Sequence, residues 1–202
     1  SSAASDVYKR QTFDYIVPPP RQLLAWFIDH PGELERPENA EVSPETATLR
    51  RALLNDDPPG SRARAQDRAR ERLAAAPPLV ADWWRFEDVT KPDAVLATDR
   101  LVIMIEGAEQ EQRVEPITWY PARSRLIRVA EAARQLAHAR RWGTIVITDG
   151  TPTQPGDDTF AQTLERGAPH LTASERDELA ASYLGAITVP EATAAVALDS
   201  PE

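Results

Sequence analysis

The order of hydrophobic periodicities predicts a mixed α/β fold, with a sheet of about four strands and flanking helices. Three observations carry this. Apolar residues recur at helical spacing up to about residue 76, that period gives way to apolar runs rich in β-branched and aromatic residues between about 80 and 107, and a long helical stripe at about 122–141 then leads into a short β-branched stretch. Helices, then β-β-β-α-β, then small helices describe a mixed sheet with a helix across one face.

The first eleven residues, SSAASDVYKRQ, have no periodicity and are read as a non-native leader, outside the fold. Residues 12–78 form an N-terminal helical region. Leu23, Leu24, Phe27 and Ile28 share one helix face. Ser43-Pro44 is an N-cap followed by the first helical position of a second helix with Leu49, Leu53 and Leu54, ended by Asp56-Asp57-Pro58-Pro59-Gly60. Ser61 caps a third helix with Ala65, Ala69 and Leu73 inward, and Pro77-Pro78 stops it.

The α/β core is expected at 79–150. Val80 to Val89 reads as a strand with Trp83, Trp84 and Phe86. The rings of Trp83, Trp84 and Trp119 are read as core or rim packing rather than base stacking. Residues 93–98 and 101–107 read as a hairpin turning at Asp99-Arg100, so residues pair when their numbers sum to 199. The run Leu101 to Ile105 suggests a strand buried on both faces. After a polar connection at 109–120, Leu126, Val129, Ala130, Ala133, Leu136 and Ala137 mark a helix from about 122 to 141. Arg140 and Arg141 suit its C-terminal dipole and Gly143 follows its end. Thr144 to Thr148 is a strand. The C-terminal region, 151–202, holds a loop and two small helices at about 158–166 and 173–184, the second capped by Ser174, with a fraying tail beyond Ala192.

Composition narrows the function classes. At 202 residues the chain is one domain with at most a small appendage. It has no cysteine, which excludes disulfides and thiolate metal sites and fits the cytoplasm. No apolar run approaches the ~20 residues of a membrane span, so no membrane partner is expected. A net charge of −9 argues against bulk attraction to nucleic acid, although six arginines and only one acid, Glu131, lie between Pro121 and Trp142. The three histidines, His30, His138 and His170, have no ligand spacing and are read as surface residues.

The candidate chemistry sits on the hairpin. In the 199 register Asp93 lies opposite Glu106, on the same face, about 5 Å away. Two buried carboxylates that close repel unless a cation separates them, which is the geometry of a hard divalent ion site. The same register puts Lys91 opposite Ala108, on the carboxylates' side. Competing readings are a turn role for Asp93 and a salt bridge from Glu106 to Arg85 or Arg128. Arg125 and Arg128, one turn apart near the helix start, could contact phosphate or neutralise Glu106.

Pro92-Asp93, twelve intervening residues, then Glu106-Gly107-Ala108 resembles the PD-(D/E)XK nuclease superfamily. With Trp83-Trp84-Arg85-Phe86-Glu87, Thr90-Lys91-Pro92-Asp93 and Trp119-Tyr120-Pro121-Ala122-Arg123-Ser124-Arg125-Leu126-Ile127-Arg128, about residues 80–150 are similar to one uncharacterised bacterial branch of it. The resemblance implies a restriction-endonuclease-like fold and a Mg²⁺- or Mn²⁺-dependent hydrolase of DNA phosphodiesters, with the metal on Asp93, Glu106 and the Gly107 carbonyl. Two positions depart from that pattern: Ala108 stands in place of the catalytic lysine, and Arg125 in place of a glutamine. Lys91 is the candidate to supply the missing ammonium. The alternative expectation is a catalytically inactive descendant serving in binding or assembly.

Overall fold

A computed structural model describes residues 15–36, 43–75, 82–108, 119–149 and 157–197; the side chains of 108, 157–159 and 195–197 are not described. The leader, the Pro77-Pro78 stop, most of the 109–120 connection, the loop at 150–156 and the end of the tail lie outside the described residues.

Three helices open the fold: α1 (Arg21–Asp29), α2 (Pro44–Asn55) and α3 (Arg62–Ala75), with a short 3-10 turn at Pro31–Glu33. Leu23, Leu24, Phe27 and Ile28 of α1 are buried, as their spacing predicts. The Ser43 side chain accepts from the Thr46 N–H and caps α2, which ends at Asp56 in the left-handed region, φ 56°. The α2–α3 corner differs from expectation. Asp56, not Ser61, accepts from the Arg62 N–H, at 2.8 Å, and the Ser61 hydroxyl is buried without a hydrogen bond. Arg62 in turn donates to the carbonyls of Leu53 and Leu54, at 3.1 and 2.9 Å. The first residue of α3 thereby satisfies carbonyls that the end of α2 would leave open.

The sheet has four strands in the order β1 (Ala94–Ala97), β2 (Leu101–Ala108), β3 (Arg141–Thr148) and β4 (Tyr183–Thr188). The β1–β2 hairpin is antiparallel with Ala94 opposite Ile105 and Val95 opposite Met104, the predicted register. Thr98 closes the turn: its N–H donates to the Leu101 carbonyl at 2.8 Å, and its hydroxyl accepts from the Arg100 and Leu101 N–H groups. β2, β3 and β4 run parallel. Val102, Met104 and Glu106 are buried on one face of β2, whereas Leu101, Ile103 and Ile105 on the other face are half-buried, so the expectation of burial on both faces holds for one.

Two strands differ from the sequence reading. Described residues 82–89 form turns and extended coil, joined to the fold by one bridge between Val17 and Thr90. Arginine side chains take up their carbonyls in place of a neighbouring strand. Arg50 Nε donates to Trp83 O at 2.8 Å, and Arg128 Nη2 to Asp88 O and Val89 O at 3.1 and 3.3 Å. Conversely, Tyr183–Thr188 adds β4 where the end of a helix was expected.

Helix α4 (Arg125–Ala137) crosses between β2 and β3. It is shorter than the predicted span: Ser124 caps its start, and His138, φ 53°, ends it. Gly143 is not a helix terminator but lies in β3, where a Cβ would come within 3.1 Å of the Ser182 carbonyl. Arg140 does cap the helix end, donating to Leu136 O and Ala137 O at 2.6 and 3.1 Å. α4 is buried on two sides. Val129, Ala132, Ala133 and Ala137 pack with Val95, Val102 and Met104. Leu126, Ile127 and Ala130 pack with Val146 and with residues of α5 (Asp157–Gly167), α6 (Ala173–Ala181) and β4. Its alanines allow that close approach. α6 carries a capping box from Thr172 and Glu175, rather than a Ser174 cap, and α7 (Val189–Ala197) follows β4. A third cluster joins α1–α3 to Trp83, Trp84, Phe86 and Trp119, all buried. Among the described residues no helix is long and apolar enough to cross a membrane.

Candidate functional site

Alternation along the hairpin puts Asp93 and Glu106 on the face of β1 and β2 that meets the start of α4. Asp93, at the bend before β1, is exposed and its Oδ2 accepts from the Gly107 N–H at 2.7 Å. A Cβ at Gly107 would sit 3.3 Å from that oxygen, so a larger residue there would shift the exposed carboxylate by a few tenths of an ångström. Glu106 points beneath α4, its side chain 7% exposed. Arg125, the first residue of α4, engages both of its oxygens: Nε donates to Oε1, and Nη2 to Oε2 at 3.1 Å. Nη2 also donates to the Lys91 carbonyl at 3.1 Å. The guanidinium thus bridges β2 to the segment before β1, in a planar fork suited to a carboxylate.

The other candidates are Lys91 and Arg128. Lys91 is exposed and enters the site through its carbonyl. Arg128 is buried, its Nη2 turned to the Asp88 and Val89 carbonyls and its Nε 3.8 Å from Glu87 Oε1. Burial lowers the Arg128 guanidinium from its ordinary range, with the Glu87 carboxylate opposing and the Arg123 and Arg125 charges adding to the effect. Both arginines read as phosphate contacts thus bond to groups of this chain, and Arg125 is an arginine that meets Glu106.

No family model, no curated protein and no solved structure matches this chain. The site has to be judged on its own chemistry. Asp93 and Glu106 are the hard donors that Mg²⁺ or Mn²⁺ would use, but both Glu106 oxygens are taken by a guanidinium. A divalent ion there would compete with that positive charge. As arranged, these residues do not fit the ion.

One step along α4 lies a charge network that the sequence reading missed. Arg123, its side chain 1% exposed, donates through Nε to Glu87 Oε2, through Nη2 to Glu131 Oε2, and through Nη1 to Gly167 O at 3.2 Å. His170 is not a surface residue: its side chain is 1% exposed, and Nε2 lies 2.9 Å from Glu131 Oε1, off the line of a good hydrogen bond. Burial pulls the Arg123 guanidinium down, and Glu87 and Glu131 outweigh it, holding it above the usual arginine value. Burial raises the Glu131 carboxyl, and Arg123, then His170, overcome it and leave it below the carboxylate range. The signal was readable in part: Glu131 is the lone acid among six arginines, and an acid inside a buried helix face needs a partner. What sequence spacing hides is that Glu87, Arg123 and His170 converge from three separate segments.

Proposed function

We propose that this chain is a non-catalytic domain of the PD-(D/E)XK type, serving in binding or assembly, with its ancestral metal position closed by Arg125. The observation that carries this reading is the two-pronged Arg125–Glu106 bond. A hairpin, a crossover helix and a parallel strand with carboxylates at the hairpin mouth suit that superfamily. Hydrolysis of a phosphodiester needs charge stabilisation and an activated water at the reacting phosphorus. Here the carboxylate meant to hold the cation is neutralised within the fold, and Ala108 offers a methyl group where an ammonium would stand. The two departures are linked in charge. One cation is lost from the end of β2, and another arrives from the first turn of α4.

The test is cleavage of single- and double-stranded DNA in Mg²⁺ and in Mn²⁺, with Asp93→Ala alongside. The expected result is no metal-dependent cleavage above that of the variant. Cleavage by the parent that disappears in Asp93→Ala would overturn the proposal. It would restore the hydrolase reading, in which Asp93 and Glu106 hold the metal and Lys91 supplies the ammonium.

A further inference from the structure

One side of α2, beside its core contact, carries Ala47, Arg50, Arg51 and Leu54, spaced i, i+3, i+4 and i+7. With Arg36 and Trp119 they bound a cavity of about 320 Å³. That size falls at the lower end of the ~300–1,000 Å³ range of small-molecule pockets. Its described lining holds three arginines and no carboxylate.

Arg50 is fixed in place. Its Nε donates to Trp83 O at 2.8 Å, and its guanidinium carbon lies 4.6 Å from the Trp119 ring centre and 5.5 Å from that of Phe86. Burial lowers the Arg50 guanidinium, Asp88 partly offsets this, and the nearby Arg36 charge lowers it further. Arginines lining one cavity beside a buried aromatic wall, with the Arg36 charge acting on Arg50, are stabilised by an anion that enters between them. Arg36 and Arg51 are exposed at the rim, where a ligand's charged end would arrive. Ala47, Leu54 and Trp119 supply the apolar part.

We propose that this pocket binds a small aromatic or similarly apolar anion, its carboxylate or phosphate monoester on Arg36, Arg50 and Arg51 and its body against Ala47, Leu54 and Trp119. The small volume and the net charge of −9 favour a small molecule over a nucleic-acid strand. The site is independent of the Asp93–Glu106 position and stands whether or not the chain cleaves DNA.

Calorimetric titration of the full chain with phenyl phosphate, benzoate, benzyl alcohol and inorganic phosphate tests it. At least one aromatic anion should bind with Kd below about 1 mM, at least tenfold tighter than benzyl alcohol or inorganic phosphate. Which anion binds identifies the head group. Arg36→Gln and Arg51→Gln should each weaken that binding about tenfold while leaving thermal unfolding unchanged, since both side chains are exposed. The proposal fails if neither anion binds below about 1 mM, if benzyl alcohol or inorganic phosphate binds as well, or if both variants bind like the parent.

Discussion

Replacing Arg123 with methionine removes the central cation of the buried network and leaves Glu87 and Glu131, 8% and 3% exposed, to share the same space. Glu131 keeps His170 at 2.9 Å, and Glu87 keeps Arg128 at 3.8 Å, neither in good hydrogen-bonding geometry. The cost has a ceiling, because a buried carboxylate can take up a proton. At about 1.36 kcal/mol per pH unit above an ordinary Glu value near 4.3, that proton costs about 3.7 kcal/mol at pH 7 and about 1 kcal/mol at pH 5. Breaking a buried ion pair typically costs ~3–5 kcal/mol, so a loss of about 3–4 kcal/mol is expected at pH 7. The sign follows from Glu131. In the parent its carboxyl is depressed, so its stabilisation is present above the unfolded value and lost as pH falls through the folded one. In the variant the carboxyl is raised, so the deficit relative to parent grows as pH rises above about 4.3. Urea unfolding followed by tryptophan fluorescence at pH 5 and pH 7 measures both points. A deficit under about 1 kcal/mol at pH 7, or one equal at the two pH values, would refute the picture of a dehydrated network.

Thr172→Ala should cost about 1 kcal/mol by opening the α6 capping box. The Thr172 backbone and hydroxyl bonds, then Arg134, hold the Glu175 carboxyl at about 2, so its contribution is complete above about pH 4.3 and is lost as pH falls toward 2; a carboxyl NMR titration of Glu175 checks this. Gly167→Ala should destabilise by about 1–3 kcal/mol in urea unfolding, because the new methyl would sit 2.7 Å from the Ala122 carbonyl in a buried contact. Arg125→Gln should lose about 1–2 kcal/mol, since the pair joins a buried acid to a partly exposed base. The shift in urea midpoint measures that loss.

Legibility divides by the range of the interaction. The hairpin register could be read because a two-residue turn and alternation fix it locally, and Asp93 accepts from the Gly107 N–H beside Glu106. Helix faces in α1, α3 and α4 were readable for the same reason. The failed strand at 82–89 shows the limit. Trp83, Trp84 and Phe86 have strand propensity, but their burial is against α1–α3, and Arg50 and Arg128 from distant helices occupy carbonyls that a strand would pair. Propensity registers the side chains' wish for an apolar surface and not which surface supplies it. His170 fails likewise: nothing within several residues of it announces that Glu131 lies 2.9 Å away.

The two arginines at the start of α4 have opposite surroundings, and that contrast bears on what the fold retains. Arg123 is sealed between two carboxylates and ties the 87 segment to α4 and α5, so its role is to hold these elements in one arrangement. Arg125, two residues on, is 35% exposed and grips its acid from the rim. A partly exposed arginine can be withdrawn at modest cost, whereas the Arg123 network cannot be opened without stranding buried charge. If selection still acted on metal chemistry at Glu106, a rim guanidinium over that carboxylate would compete with every ion that approached. The deeper network holds the 87 segment and α5 to the start of α4 without drawing on Asp93 or Glu106. A domain can therefore keep this framework after losing its chemistry, and DNA cleavage and Arg123→Met unfolding measure two separable properties.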